Sequence, residues 1–127
     1  MYKFSKRSEK NLTEAHQDLQ TLFRTIIKYR DCSIICGHRG EMEQNAAFDR
    51  GNSKLRYPKS KHNKMPSLAV DVIPYPFNGW NDIDQFKEFG NFVKGIAVML
   101  KAYGAIENDI TWGGDWKSFR DYPHFQI

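Results

Sequence analysis

Cysteine is scarce in this chain: Cys32 and Cys36, in "RDCSIICGH", are the only two among 127 residues. Four positions apart in an extended segment, they stand farther from each other than a disulfide spans, so buried free thiols are expected. A zinc ribbon would need a second cysteine pair, and none exists. Long apolar runs are missing too. The richest stretch, Val93 to Leu100, is interrupted by Lys94 and Gly95 and falls well short of the roughly 20 residues that span a bilayer. The opening "MYKFSKRSEKNLTEAH" has the charges of a secretory leader without its apolar segment. Cytoplasmic synthesis without stable membrane insertion is therefore expected. Repeats, low-complexity tracts and linkers are also absent, which leaves one domain over residues 1–127.

What is present suits a packed domain, since 40% of the residues are hydrophobic and 14% aromatic. The formal charge of +4 points to a polyanionic partner, either nucleic acid or a bacterial wall with its teichoic acids and carboxylates. Charge alone does not choose between them.

Apolar residues from Leu12 to Ile27 recur at helical spacing, which predicts one amphipathic helix over 11–29, with Asn11 or Thr13 as its N-cap. "CSIIC" reads as a short buried strand. A long polar connection follows, Gly37 to Lys64, with a helical turn near Glu43 to Phe48. "SLAVDVIPY" is rich in β-branched residues and stopped by Pro74 and Pro76, which predicts a strand. Phe86, Phe89, Val93, Ile96, Ala97 and Leu100 share one face of a second helix over 82–103, closed by Gly104. "AIENDITWGGDW" reads as a strand entering a glycine turn, and "DYPHFQI" as a terminal strand. The expected fold is α+β, a small single domain with an antiparallel sheet flanked by two main helices.

A carboxylate in the Val70–Asp71–Val72 strand is out of character for a core segment and needs a partner. His62 lies nine residues before Asp71, and His124 lies three after Asp121. Zinc in a catalytic site takes three protein ligands, commonly histidine and carboxylate, and keeps one position open. If the strands holding Asp71 and His124 are neighbours, about 4.8 Å apart, their inward side chains can share an ion with His62. Asp121 would then stand beside the ion as a proton carrier, the layout of a metal-dependent hydrolase. Taken singly, each residue has a plainer reading. Asp71 can cap a turn or pair with a lysine, and His124 can be a packed histidine. His38 fits packing as well as substrate contact, and His16 fits a structural position. Asp115 fits the glycine turn, and the lysines and Arg56 of residues 54–64 fit a solvated loop.

In combination, "SKHNKMPSLAVDV" and "WGGDWKSFRDYPHFQI" resemble the zinc peptidases of bacterial cell walls. That group includes D-Ala-D-Ala carboxypeptidases and dipeptidases and the L-alanyl-D-glutamate endopeptidases used as phage endolysins. Its members share an SxH segment, an AxD strand, a W-G-G-x-W turn and a closing acid-x-x-His. Arg39, Gln44, Gly51 and Ser53 match an upstream Arg, Gln and GxS, so the likeness covers most of the chain. The resemblance implies the hedgehog/D-Ala-D-Ala peptidase-like fold, with Zn²⁺ held by His62, Asp71 and His124 and Asp121 as catalytic acid/base. It further implies Arg39 as the cation that holds substrate or stabilises an oxyanion, and Ser60, Gln44 and Trp112 as substrate-binding residues. One departure stands out: many members have seven positions from His to Asp where this chain has nine, with Met65, Pro66 and Ser67 in place of a single glycine.

The function this implies is a zinc peptidase cutting peptidoglycan stem peptides. A monomeric phage endolysin of the L-alanyl-D-glutamate type is expected, waiting in the host cytoplasm until a holin releases it to the wall. A D-Ala-D-Ala carboxypeptidase or dipeptidase is the alternative within the class. A basic nucleic-acid-binding module with structural zinc is the alternative outside it, and gives no reason for Asp121 to precede His124 by three. No nucleic-acid partner is therefore expected.

Overall fold

Ser5 opens the first helix of the computed structural model, which describes all 127 residues: its hydroxyl accepts from the Ser8 amide at 3.1 Å. That helix, α1, runs Lys6–Thr13, and a second, α2, runs Gln17–Ile26. The apolar spacing predicts one continuous helix here, and the structure breaks it. At the break the Ser67 amide donates to the Glu14 carbonyl at 2.9 Å, and the His16 amide donates to the Ser67 carbonyl at 2.8 Å. His16 then caps α2, its Nδ1 accepting from the Asp18 amide at 3.0 Å. The structural reading of His16 stands. Tertiary pairing thus overrides a local pattern that runs through the break without a signal.

The strands are β1 (Cys32–Cys36), β2 (Ala69–Pro74), β3 (Thr111–Trp112) and β4 (His124–Gln126). They form one antiparallel sheet in the order β1-β2-β4-β3. Between β1 and β2 lie α3 (Glu41–Asp49) and a 3₁₀ turn, Lys61–Asn63. The long α4 (Ile83–Ala102) links β2 to β3, and a second 3₁₀ turn, Gly113–Asp115, follows β3. The α+β class and antiparallel sheet match the expectation, but there are four helices, and β3 is a two-residue remnant of the strand expected from "AIENDITW". No helix is long and apolar enough to cross a membrane.

Strand alternation sorts β2 onto two sides. Val70 and Val72 are fully buried against Leu19, Leu22, Phe23 and Ile26 of α2, Phe89 and Val93 of α4, and Phe125 of β4. Asp71, between them, points to the opposite side of the sheet. The odd carboxylate is therefore not a core residue at all. Cys32 is buried and Cys36 half-buried, both as free thiols, and burial pushes the Cys32 thiol up to about 12.

Asp18 ties α2 to the segment beyond α4. Its Oδ2 accepts from the amides of Glu107 and Asn108, at 3.1 and 3.0 Å, and from Asn108 Nδ2 at 2.8 Å. Burial opposes its charge, but these donors outweigh it and hold its carboxyl below the usual range. Because the folded pKa is depressed, the stabilisation is present above the unfolded value near 4 and is lost as pH falls through the folded one. Asp18→Ala should cost about 1–3 kcal/mol by urea unfolding at pH 7, and the gap from the parent protein should close toward pH 2. A gap that is constant with pH would contradict this role.

Candidate active site

Register brings the site together. β2 and β4 pair Asp71 with His124, and β1 pairs Cys36 with Asp71 beyond a bulge at Ile34/Cys36. The turn Lys61–Asn63 delivers His62 from the other side. Its start is fixed by Ser60, whose hydroxyl accepts from the His62 amide at 3.2 Å and whose amide donates to Asn63 Oδ1 at 3.0 Å. The bridge through Ser67 also matters here. Ser67 is fully buried, and its hydroxyl lies 3.2 Å from the same Gly37 carbonyl that His62 uses. The segment between His62 and Asp71 is thus anchored at Ser67 to the α1–α2 break rather than forming a free loop.

Three side chains converge on one oxygen or its neighbours. His62 Nε2 is 3.2 Å and His124 Nδ1 3.3 Å from Asp71 Oδ1, while Arg39 Nη2 is 3.4 Å from Asp71 Oδ2. Asp121 Oδ2 lies 3.7 Å from His124 Nδ1. The other nitrogen of each imidazole is committed. His62 Nδ1–H donates to the Gly37 carbonyl at 2.8 Å, and His124 Nε2–H donates to Gln126 Oε1 at 2.8 Å. A neutral ring with that tautomer presents a bare lone pair to the Asp71 carboxylate. Something positive has to stand between them, either protons or a metal ion.

The charge balance follows. Burial works against a charged His62, but the Asp71 carboxylate outweighs it and raises the imidazole to about 10 in the metal-free protein. Asp71 is held low, against its burial, by His62 and His124. Asp121 moves the other way, raised to about 6 by burial and by the Asp71 charge. The pKa values of the two carboxylates are thus pushed apart, the pattern of an acid/base group beside a fixed anion.

Two overlapping sets offer one ligand atom each within 4.8 Å of one another: Cys36, His62 and Asp71, and Asp71, Asp121 and His124. Asp71 is common to both. Imidazole and carboxylate donors suit Zn²⁺, and imidazoles oriented through their second nitrogen are the usual arrangement around it. The donor set therefore fits the metal that the resemblance implies.

Gln44 and Trp112, expected at the substrate, are elsewhere. Gln44 is wholly buried: its Oε1 accepts from Arg39 Nη1 at 3.0 Å and Asn63 Nδ2 at 3.2 Å, while its Nε2 donates to Ser53 Oγ at 2.9 Å and the Leu55 carbonyl at 2.6 Å. It ties Arg39, the His62 turn and the loop at 53–55 to α3. Trp112 is buried, donating to the Tyr122 carbonyl at 2.7 Å. A Cβ on Gly90 or Gly114 would come within 2.4 or 2.2 Å of its ring, and one on Gly113 within 2.3 Å of the Asp121 carbonyl. The W-G-G turn is a packing device that seats Asp121. Ser60 borders the cleft, although it is itself buried, and Arg39 is close to both cleft and Asp71. His38 contributes its amide, which donates to Glu14 at 3.2 Å.

The cleft over these groups has a volume of about 1070 Å³. Of the basic residues in the loop at 54–64 only Lys54 and Lys61 line it, joined by Arg39, Arg50 and Arg120 from other segments. Lys54 Nζ sits 5.1 Å from the Phe119 ring centre, so the two walls touch. Sequence reasoning missed Gln126 and Cys36. The signal for Gln126 was its position two after His124, hence on the same side of a strand. Cys36 comes within 3.7 Å of His62 Nδ1 through the bulge, which has no sequence signal.

A family model described as phage L-alanyl-D-glutamate peptidase matches residues 1–126. The chain belongs to that family. It is 31% identical over 131 residues to the L-alanyl-D-glutamate peptidase of Escherichia phage T5, covering 95% of the chain and 86% of that protein. It is 30% identical over 105 residues to the peptidoglycan L-alanyl-D-glutamate endopeptidase CwlK of Bacillus subtilis, covering 76% of the chain and 60% of CwlK. The crystal structure of the Serratia marcescens L-Ala D-Glu endopeptidase ChiX superposes with a TM-score of 0.74 at 27% identity, over 99% of this chain and 90% of that one. The family is one of hydrolases, and its fold is the one expected from the AxD strand and the acid-x-x-His ending.

If Gln44 is a buried tie, Gln44→Leu strands the hydrogen-bonding groups of Arg39 and Asn63 and should lower stability by about 2 kcal/mol or more, with faster proteolysis in residues 50–58. A surface substrate contact predicts unchanged stability and a raised KM alone. Urea unfolding and limited proteolysis distinguish the two.

Proposed function

We propose that this chain is a zinc-dependent endopeptidase that hydrolyses the L-alanyl–D-glutamate bond of peptidoglycan stem peptides, as a phage endolysin. The observation that carries the reading is the pair of imidazoles, each fixed through its second nitrogen, aimed at one buried carboxylate with Asp121 alongside. His62 through Nε2, Asp71 through its carboxylate and His124 through Nδ1 would hold Zn²⁺. Bound there, Zn²⁺ would supply Lewis-acid polarisation of the scissile carbonyl and would ease ionisation of the attacking water at neutral pH.

The protein's own groups do the rest. Asp121, ionised, accepts a proton from the attacking water and delivers it to the departing D-glutamyl nitrogen, so the C–O bond that forms and the C–N bond that breaks share one proton carrier. Gly113 lets the Asp121 backbone approach closely enough for this. Arg39, held by Gln44, keeps a fixed cation beside the carbonyl oxygen as negative charge develops there. Arg50, Lys54, Lys61 and Arg120 along the cleft complement the carboxylates of the stem peptide. The setting is the host cell wall, reached from the cytoplasm after holin action, with the enzyme acting as a monomer on a polyanionic polymer.

The test is digestion of isolated peptidoglycan with and without a chelator, reading new amino termini by mass spectrometry. D-glutamyl amino termini that vanish with chelator are expected. Free D-alanine instead would mean a D-Ala-D-Ala carboxypeptidase, and no chelator-sensitive product would overturn the zinc peptidase reading. Asp121→Ala should keep zinc while losing about 10²-fold or more in kcat, whereas His124→Ala should lose both. Since Asp121 must be ionised to accept a proton, activity falls as pH drops through its pKa. A fully active Asp121→Ala enzyme would remove Asp121 from the mechanism.

A further inference from the structure

Beyond β2 the chain makes a rigid corner that holds a large aromatic out in solvent. Gly79, at φ +102°, turns it, and Gln85 and Asp82 lock it: the Asn78 amide donates to Gln85 Oε1 at 2.9 Å, Asn78 Nδ2 to Asp82 Oδ2 at 3.1 Å, and Gln85 Nε2 to the Pro76 carbonyl at 2.8 Å. Trp80 at this corner is 58% exposed. It is nonetheless fixed, with its ring stacked on Phe86 at 5.9 Å and 26° and met edge-on by Phe77 at 5.1 Å. Phe86 in turn stacks on Tyr122 at 5.8 Å and 30°, and Tyr122 adjoins Asp121. A ladder of rings therefore joins Tyr122, next in sequence to Asp121, to a half-exposed indole, and Trp80 and Phe86 line the same cleft as His124.

A pre-formed flat apolar platform at the end of a cleft calls for a ligand with a matching face. Resting on the reading that the substrate is peptidoglycan, the occupant can be argued by elimination. The residues flanking the scissile bond bring carboxylates, for which the cleft already has five cations, and a methyl group, which is too small to cover an indole face. The alanine, however, is joined to the glycan directly, one residue from the bond that breaks. A pyranose ring presents a face of C–H groups rimmed by hydroxyls, the partner that stacks on an aromatic plane through many weak C–H···π contacts. We propose that Trp80 is a saccharide-stacking subsite that grips the glycan next to the alanine, so that the enzyme prefers wall-attached stems to free peptides.

Two substrates test it: a disaccharide-linked stem peptide and the same peptide without sugar. Trp80→Ala should lower kcat/KM about tenfold on the first and less than about twofold on the second, with Trp80→Phe in between on the first. In parallel, the peptide-free disaccharide at millimolar concentration should shift the Trp80 indole N–H resonance, assigned by its loss in Trp80→Phe. An equal fall on both substrates, or no fall on either, overturns the subsite. Should the parent enzyme cleave neither substrate at the L-alanyl–D-glutamate bond, the proposed function falls instead. The titration then decides the subsite alone, and an unmoved Trp80 resonance overturns it.

Discussion

The arrangement turns on Asp71, a carboxylate that is mostly buried and shared by two imidazoles and a guanidinium. Burying an anion is costly unless cations compensate, and here the compensation comes from three separate parts of the chain. β4 supplies His124, the turn at 61–63 supplies His62, and the segment before α3 supplies Arg39. Each imidazole is held through its far nitrogen by a carbonyl oxygen, so the near nitrogen has no freedom to turn away. A site of this kind is indifferent to which positive species satisfies it only until chemistry is considered. In the metal-free protein the charges of His62 and Arg39 offset Asp71, and a divalent ion held there would offset it while keeping a position for water.

Much of the remaining structure positions those groups. Ser67 pins the far end of the His62 connection to the α1–α2 break and shares the Gly37 carbonyl with His62. Gly37 itself has no room for a side chain, because a Cβ would meet the Asn11 carbonyl at 2.1 Å. Gln44 fastens Arg39 and Asn63 to α3, and the glycines around Trp112 let β3 and its turn close on Asp121. The site is therefore supported by backbone contacts and buried amides more than by loops, as precise positioning of reacting groups requires.

The sequence made some of this legible. The apolar face of α4 is readable because nothing interrupts its periodicity, and β1 and β2 because their β-branched runs end at glycine or proline. Asp71 was readable as a misfit in an apolar strand, and the closing acid-x-x-His as its partner. Other features depend on contacts between distant segments. The break at residues 14–16 is imposed by Ser67 against an intact helical pattern. The resemblance places Gln44 at the substrate, and a polar side chain gives no sign of whether it faces ligand or, as here, four partners within the protein. The resemblance likewise places Trp112 at the substrate, and its neighbouring glycines mark close approach without saying what approaches. Gln126 was missed although its place on the His124 side of a strand was implicit in the alternation of β4.

The central claim is that the Asp71 cluster holds a divalent ion through His62 Nε2 and His124 Nδ1. Nitrogen-detected NMR of both imidazoles during zinc titration tests it most directly. One equivalent of zinc should bind, with His62 Nε2 and His124 Nδ1 moving to metal-bound shifts while His62 Nδ1 and His124 Nε2 stay protonated. Saturation without movement of those two nitrogens, or binding through the opposite ones, would contradict it.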